Sequence, residues 1–316
     1  MAHEVETMAY AGETPWHGLG TKVNNDLTPA QIRKAAGLSW DVERKPMYYR
    51  WGDENEEIPV GSDVLVRNDT GRKLTEISEE WQEVSNQTAF EFFDEFIKAG
   101  QMEMHTAGSL KNGNIVWALA KVRKHFQLFN KKDTVESFLL FSLPHIYGKC
   151  LDVRFTPIRV VCNNTLTLAL DRHGDMAVKL NHRRKFDADQ VKETLGLADN
   201  KLEIYKKNAQ LLSTKKWQTA TLEKYFSEVF PNKSAKEDSE DKMSRPARKA
   251  LEVMDTQPGA DLGAGTWWQA FNAVTYLTDH QLGHSPDTRL YSAWYGSNRK
   301  KKVFALEKAV EYANAA

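Results

Sequence analysis

Basic side chains interleaved with aromatic rings are the residues of this sequence best suited to chemistry. Lysine and arginine neutralise phosphates and flat rings stack on bases, so the combination is typical of proteins that bind single-stranded nucleic acid. A solvated charged surface is the alternative for each group taken alone. The groups are Trp117 with Lys121, Arg123, Lys124 and His125; Arg154 with Arg159; and the run His182, Arg183, Arg184 and Lys185.

Seven of these residues are the predicted nucleic-acid-binding site. Trp117 is the candidate stacking surface, because it lies on a predicted strand beside lysine and arginine side chains. The guanidinium and ammonium groups are the candidate phosphate contacts. These contacts are Lys121, Arg123, Arg154, Arg159, Arg183 and Arg184.

The charge distribution along the chain supports a polarised surface. The formal net charge is zero, which by itself argues against a polyanionic ligand. Residues 53–103, however, contain fourteen acidic and four basic residues, whereas residues 104–186 contain fourteen basic and five acidic ones. This asymmetry indicates either a site for a charged ligand or head-to-tail contact between subunits. The alternative is that the two segments neutralise each other inside one fold.

Histidines offer few candidates for catalysis. His17 lies in a Gly- and Pro-containing turn beside Trp16, and Asp279 and His280 are followed four residues later by His284. Gly283 interrupts that helix, and a metal site needs a third ligand that the nearby sequence does not supply. If the chain is an enzyme, His17, Asp279 and His280 are its candidate catalytic residues.

Common catalytic and cofactor motifs are absent from the sequence. It contains no GxxxxGK[ST] phosphate loop, no GxGxxG fingerprint, no HExxH, no CxxC and no GxSxG. We therefore expect no cofactor and no metal, and a binding protein is favoured over an enzyme.

Three consecutive strands should position the basic groups. Residues 114–123, 135–144 and 151–162 alternate apolar and polar side chains and are separated by turn-forming residues, so they predict an antiparallel meander. In the third strand, Leu151, Val153 and Phe155 share one face, which places Arg154 on the opposite, solvent-facing side. A helix is predicted to follow directly, over residues 163–171.

The remaining segments predict an α+β fold with a helical C-terminal part. Residues 1–232 should form the main domain, with the basic meander at 114–171; residues 233–244 a linker or loop; and residues 245–316 a C-terminal helical unit. Helices are predicted at 28–37, 86–100, 188–197 and 202–230, and short strands at 40–51 and 60–67.

The sequence also bears on the compartment. No apolar run approaches the roughly 20 residues that span a bilayer, and the N-terminal residues are acidic where a signal peptide is basic. Cys150 and Cys162 lie at opposite ends of one predicted strand, too far apart for a disulfide. We therefore expect a cytoplasmic protein with no membrane partner.

Several motifs resemble the phage/plasmid-like protein family, a group defined by domain of unknown function 932. The opening AYAGETPWHGLG at 9–20 and the segment GTWW at 265–268 are similar to it. The strongest match is FTPIRVVCNNTL at 155–166, with further likeness at AGSL, 107–110, VWALAK, 116–121, and NAVT, 272–275. The resemblance covers most of the chain. It implies an origin on a phage or plasmid, expressed in a bacterial host, and implies no particular reaction.

A second resemblance is topological. A β-β-β-α order with a basic sheet is similar to the core of the single-strand annealing superfamily, which includes the Redβ-like, Erf-like and Sak-like phage recombinases. That likeness implies binding of single-stranded DNA in a positive groove, assembly into homo-oligomers and no need for a nucleotide. Because no motif carries the likeness, no individual residue is assigned from it.

These observations give three competing hypotheses. The first is a phage-encoded, ATP-independent protein that binds single-stranded DNA and anneals complementary strands during recombination, as a homo-oligomer and in contact with a host or phage replication protein. The second is a non-enzymatic interaction protein that inhibits a host factor or defence system. The third is an enzyme that processes nucleic acid or nucleotides. Only phosphate neutralisation requires the logarithm of affinity to fall linearly with the logarithm of salt concentration, which separates the first two.

Overall fold

The computed structural model describes residues 4–12, 15, 18–159, 164–165, 177–232, 243–283 and 285–315. The fold is α+β, with a large sheet, a small sheet and a predominantly helical C-terminal part. Within the described residues, no helix is both long enough and apolar enough to cross a membrane.

An eight-stranded sheet forms the centre of the molecule. Its strand order is β10-β9-β8-β7-β6-β1-β2, and β11 pairs with β9 beside β10. Strands β6 to β9 are antiparallel, whereas the short β2 is parallel to β1. The strands are β1 Val5–Ala11, β2 Thr21–Val23, β6 Met102–Leu110, β7 Ile115–Leu128, β8 Asp133–Pro144, β9 Leu151–Arg159, β10 Asn164–Thr165 and β11 Ala177–Leu180.

The predicted meander is confirmed by β7, β8 and β9, which pair in antiparallel register. The helix predicted from residue 163 is wrong at its start, because Asn164 and Thr165 form β10 against Ile158 and Arg159. The edge of β9 supplies backbone hydrogen bonds that a helix would have to find within itself. The rest of that prediction, residues 163 and 166–171, lies outside the described residues.

A second, three-stranded antiparallel sheet has the order β3-β4-β5. It confirms the strands predicted at 40–51 and 60–67 and adds a third one. The strands are β3 Val42–Trp51, β4 Glu56–Arg67 and β5 Lys73–Ile77.

Nine α-helices surround the large sheet in the described part of the chain. A 3-10 turn at Ala260–Gly263 precedes α7, and a π-helical turn at Leu277–Gln281 follows it. The helices are α1 Pro29–Ala35, α2 Asn86–Glu91, α3 Asp94–Lys98, α4 Ala188–Thr214, α5 Thr219–Val229, α6 Arg245–Met254, α7 Trp267–Tyr276, α8 Pro286–Tyr295 and α9 Ser297–Ala315.

Local signals placed α1 correctly. Thr28 accepts a hydrogen bond from the Gln31 amide, Gln31 caps the Thr28 amide in return, and Pro29 occupies the first turn. These interactions satisfy amides that an isolated helix start leaves without partners. The predicted helix over 28–37 is therefore confirmed.

Tertiary contacts changed two other helices. The helix predicted over 86–100 is divided at Phe92 and Phe93, whose rings both contact Phe141, at 5.2 and 6.0 Å between ring centroids.

The break predicted near residue 200 is likewise misplaced. α4 runs without interruption to Thr214. The helix ends there because the following residues pair elsewhere: Lys216 pairs with Thr266, and the Trp217 amide donates to the Gly265 carbonyl at 3.2 Å. The division of the chain into domains at 233–244 stays a prediction, and residues 233–242 lie outside the described residues.

Both faces of the large sheet are buried. Val116, Ala118 and Ala120 of β7 belong to a core that extends to α1, α2, α4 and α7. Trp117 and Leu119 belong to a second core on the opposite face, which α8 covers through Leu290, Trp294 and Tyr295. The middle of the sheet is therefore a buried layer between helices.

Candidate nucleic-acid interface

The seven predicted site residues fall into three groups at different places in the fold. Trp117 and Arg154 lie under α8 in the middle of the sheet. Lys121, Arg123 and Arg159 lie toward the end where β9 finishes. Arg183 and Arg184 occupy a turn at the opposite end.

The prediction that Arg154 faces solvent is wrong. Arg154 is only 8% exposed, and its guanidinium forms a two-pronged ion pair with Asp152, with 2.6 Å between Nε and Oδ1. Its third nitrogen donates to the Trp294 carbonyl at 3.3 Å. The side chains of β9 alternate as predicted, but α8 covers the face that would otherwise be exposed to solvent.

Trp117 is buried in the same way and cannot stack on a base in this conformation. It is 1% exposed, and its ring contacts Trp294 edge to face at 5.0 Å. Tyr295, next along α8, shares a hydrogen bond with Ser142 at 2.6 Å. Burial raises the pKa of the Tyr295 phenol. These contacts fix α8 against the sheet.

A second buried ion pair lies close to this network. The Lys302 ammonium is fully buried and donates to Asp279 Oδ1 at 2.7 Å. Burial lowers the pKa of Lys302, while the Asp279 carboxylate opposes that shift. Asn298 donates to the Thr278 carbonyl at 2.8 Å and so joins α9 to the π-helical turn. Lys302 and Asp279 pair with each other inside the fold, so Asp279 has a structural role.

Of the other candidates for catalysis or metal binding, His280 is the one that lies within the described residues. The His280 ring lies 4.7 Å from that of Tyr276, while His17 and His284 are outside the described residues. In the part of the chain that the structure describes, no three His, Cys, Asp or Glu side chains are close enough to hold a metal ion.

Lys121 and Arg123 reach solvent on β7. The Lys121 ammonium pairs with Glu136 at 2.6 Å, and both side chains are partly exposed. Arg123 is 64% exposed, and its contact with Glu103 is long, at 3.5 Å between two exposed groups. Exposed pairs of this kind hold their partners weakly, so the Arg123 guanidinium is available to an anion.

A bulge in β7 places additional basic side chains beside Arg123. Val122 pairs with Ser137 and His125 pairs with Glu136, so two residues of β7, Arg123 and Lys124, have no opposite residue on β8. Regular alternation would send every second side chain to the other face, whereas a bulge re-aims the side chains. As a result Arg123, Lys124 and His125 are all exposed.

The turn of the same hairpin adds two exposed lysines, Lys131 and Lys132. Contacts with the helical layer hold this turn in place. The Trp268 indole donates to Asp133 Oδ2 at 2.9 Å, and Phe129 packs so closely on Gly263 that a β-carbon there would lie 2.9 Å from its ring. We name the six exposed or partly exposed basic residues Lys121, Arg123, Lys124, His125, Lys131 and Lys132 the hairpin patch.

His105, on β6, lies next to the hairpin patch. It is largely buried, and its pKa is lowered to about 4, first by that burial and then by the positive charge of Lys121. His105 is therefore neutral at physiological pH. The positive charge of the hairpin patch there comes from lysine and arginine.

The remaining predicted residues divide between the two ends of the sheet. Arg159 is the last residue of β9, and its backbone pairs with Val135, which in turn pairs with Phe126 just beyond the bulge. Arg183 and Arg184 follow β11 at the other end, where Arg183 lies 3.7 Å from Glu80. The single groove predicted from sequence is thus replaced by two separate basic surfaces.

Sequence reasoning named Lys124 and His125 only as neighbours and did not select Lys131 and Lys132. The signal was present, because three consecutive basic or imidazole side chains, at 123–125, break the period of two at the end of a predicted strand. Such an interruption is what a bulge produces. The predicted strand also ended at Arg123, whereas β7 continues to Leu128 and carries the hairpin into solvent.

Comparison with known proteins finds one family. Residues 73–303 match the model described as domain of unknown function (DUF932), which is well over half of the chain. No curated protein and no solved structure matches the chain.

Proposed function

The chain belongs to the DUF932 family, whose description names no activity, and from its surface we propose that it is a phage-encoded protein that binds single-stranded DNA and anneals complementary strands without ATP. The observation that carries the proposal is the hairpin patch. Six basic or imidazole side chains are gathered at one end of the sheet, and the carboxylates that pair with Lys121 and Arg123 are themselves exposed or partly exposed.

The physical role of the patch is to neutralise phosphates. Lysine and arginine release the counterions condensed on a nucleic acid, and this release supplies affinity that does not depend on sequence. Apart from the His125 imidazole, the side chains of the patch are aliphatic cations, and the predicted stacking ring, Trp117, is buried. A strand held through its backbone would keep its base edges free to pair with a complementary strand.

The proposed contacts therefore differ from those predicted from sequence. Lys121 and Arg123 are kept, Lys124, Lys131 and Lys132 are added, and Arg159 is a neighbouring candidate at the end of β9. Trp117 and Arg154 are assigned to the packing of α8, where they stabilise the sheet that carries the patch.

The experiment measures affinity for a labelled single-stranded oligonucleotide against salt concentration, by fluorescence anisotropy. The double variant Arg123→Glu/Lys124→Glu removes two cations from the bulge. Each lost phosphate contact on a single strand should reduce the slope of log affinity against log salt by about 0.7, so the double variant should lose about 1.4. Strand annealing, followed with two complementary labelled strands, should slow in parallel.

A matched control separates local contacts from net charge. Lys249→Glu/Lys300→Glu makes the same change in charge at exposed positions on α6 and α9 and should leave the slope unchanged. A folded Arg123→Glu/Lys124→Glu protein that binds like the unaltered chain at every salt concentration would contradict the proposal. That result would favour the host-factor inhibitor, whereas turnover of the oligonucleotide would favour the enzyme hypothesis.

A further inference from the structure

The β3–β4 hairpin extends beyond the small sheet as a two-stranded ribbon. β5 pairs with β4 only from Asp63 to Val66, while β3 and β4 remain paired to Trp51 and Glu56. Within the described structure, residues 47–61 are therefore covered by no third strand and belong to no hydrophobic core. We call this segment the ribbon.

Large apolar side chains are concentrated on the ribbon. Trp51 is 70% exposed, Tyr48 53%, Tyr49 49% and Val60 47%. These are four of the seven exposed large hydrophobic residues in the described chain. Tyr48 and Tyr49 are adjacent and point to opposite faces, so packing against one side of this molecule could not bury both. A patch of this kind is typical of a protein-binding surface.

The charge of the ribbon tip argues against nucleic acid as its partner. Asp53, Glu54, Glu56 and Glu57 are all exposed around the turn. Arg50 pairs with Glu57 at 3.0 Å and offsets one of these charges. Carboxylates around aromatic anchors repel phosphates and attract a basic protein surface.

A basic surface of that kind lies at the same end of the molecule as the base of the ribbon. Arg183, Arg184 and Lys185 are exposed in the turn after β11. Lys149 is also exposed, and it lies two residues after Tyr147, whose ring is half-exposed. This set combines positive charge with an aromatic side chain, as the ribbon combines negative charge with aromatic side chains. We call these five residues the basic turn.

The base of the ribbon and the basic turn meet at Trp81. Arg44 of β3 pairs with Asp63 at 2.8 Å and with Glu83 at 3.2 Å, and also donates to the Trp81 carbonyl. On the other side, the His182 ring stacks on Trp81 at 4.0 Å, and Tyr147 lies 5.6 Å from it. These contacts place the base of the ribbon and the basic turn at one end of the molecule.

We propose that the ribbon of one copy docks on the basic turn of a second copy, reciprocally, to form a closed two-fold dimer. Two complementary surfaces at the same end of a molecule can both be satisfied by one two-fold axis, whereas surfaces at opposite ends would build an open chain. Trp51 and Tyr49 are the aromatic anchors, and the acidic tip and the basic turn form the charged rim. The hairpin patch lies at the other end of the sheet, so the dimer does not depend on nucleic-acid binding.

The first experiment measures the mass of the full chain by sedimentation equilibrium over a range of concentrations. The unaltered protein should be a dimer, and Tyr49→Ser/Trp51→Ser should raise the dimer dissociation constant at least about tenfold, as loss of aromatic anchors does at interfaces. Ile204→Ser, an equally apolar and 40% exposed position on α4, should leave it unchanged. A protein that remains monomeric at all concentrations would overturn the proposal.

The second experiment identifies the partner surface by exchanging charges. Glu54→Arg/Glu56→Arg and Arg184→Glu/Lys185→Glu should each weaken the dimer, because each places like charges against one another. The protein that carries all four substitutions should regain most of the affinity. Melting curves confirm that each variant is folded. A quadruple variant no stronger than the double variants would overturn the assignment of the basic turn as partner, and a dimer insensitive to salt would do the same.

Discussion

Arg154 and Arg123 lie on neighbouring parts of one sheet, but Arg154 is part of the buried structure and Arg123 is part of the surface. The Arg154 side chain is 10% exposed and is held by Asp152 and by a carbonyl of α8, whereas the Arg123 side chain is 64% exposed and lies in a bulge at the sheet's end. The two residues differ because α8 packs over Arg154 and does not pack over Arg123. The polarity of a strand face therefore identifies a binding surface only when no other element covers it.

The stability lost when one partner of an ion pair is removed depends on whether the pair is buried. A buried ion pair is weak evidence for net stability, but removal of one partner leaves the other charge without compensation in a low-dielectric interior. An exposed pair loses little when it is broken, because water solvates the remaining partner. The two regions can therefore be separated by stability measurements alone.

The largest effect is expected at Arg154. Arg154→Leu should destabilise the protein by about 3–5 kcal/mol, because Asp152 would remain buried and charged. Adding Asp152→Asn removes that charge and should restore a substantial part of the loss. Chemical denaturation measures both. If Arg154→Leu alone changed the unfolding free energy by less than about 1 kcal/mol, the Arg154 site would behave like the exposed pairs.

A buried histidine should make the protein sensitive to acid. His145 is fully buried and Nε2 lies 3.0 Å from Asn86 Oδ1, which accepts because the Asn86 amide nitrogen donates to the Trp40 carbonyl. Burial, followed by the charges of His182 and Arg67, lowers the pKa of His145 to about 3. Since the unfolded chain binds a proton near pH 6.5 and the folded one does not, stability is complete above about pH 6.5 and falls toward about pH 3.

The predicted slope is testable by substitution. His145 should contribute up to about 1.4 kcal/mol of lost stability per pH unit within that window. His145→Gln keeps a donor toward Asn86 but cannot titrate, so unfolding curves collected from about pH 6.5 to about pH 4.5 should show a shallower dependence. His105, whose pKa is lowered to about 4 by burial, retains its own contribution in this variant. Equal slopes in both proteins would mean that His145 is protonated or solvated when folded.

The smallest effect is expected at Lys121. Its pair with Glu136 is short, at 2.6 Å, but both side chains are partly exposed. Lys121→Met should therefore reduce the unfolding free energy by less than about 1 kcal/mol. It should nevertheless weaken single-strand binding at low salt, if the hairpin patch contacts phosphates. A loss of stability as large as that of Arg154→Leu would show that Lys121 belongs to the structural network instead.

Local signals in the sequence determined the meander, the α1 cap and the alternation of side chains within each strand. These features depend on residues that are near one another in the chain: the period of two in β7 and β9, and the capping exchange between Thr28 and Gln31. The pairing of β3 with β4 belongs to the same class, because an acidic turn separates two β-favouring segments.

Only the tertiary structure decided which polar residues are available to a ligand. α8 follows β9 by more than a hundred positions in the chain, and no pattern within β9 indicates that Trp294 and Tyr295 will cover Arg154. The bulge that exposes Arg123 and Lys124 together likewise depends on the register with β8. Alternation is fixed by the backbone of one strand, whereas burial is fixed by whatever packs against that strand from elsewhere in the chain.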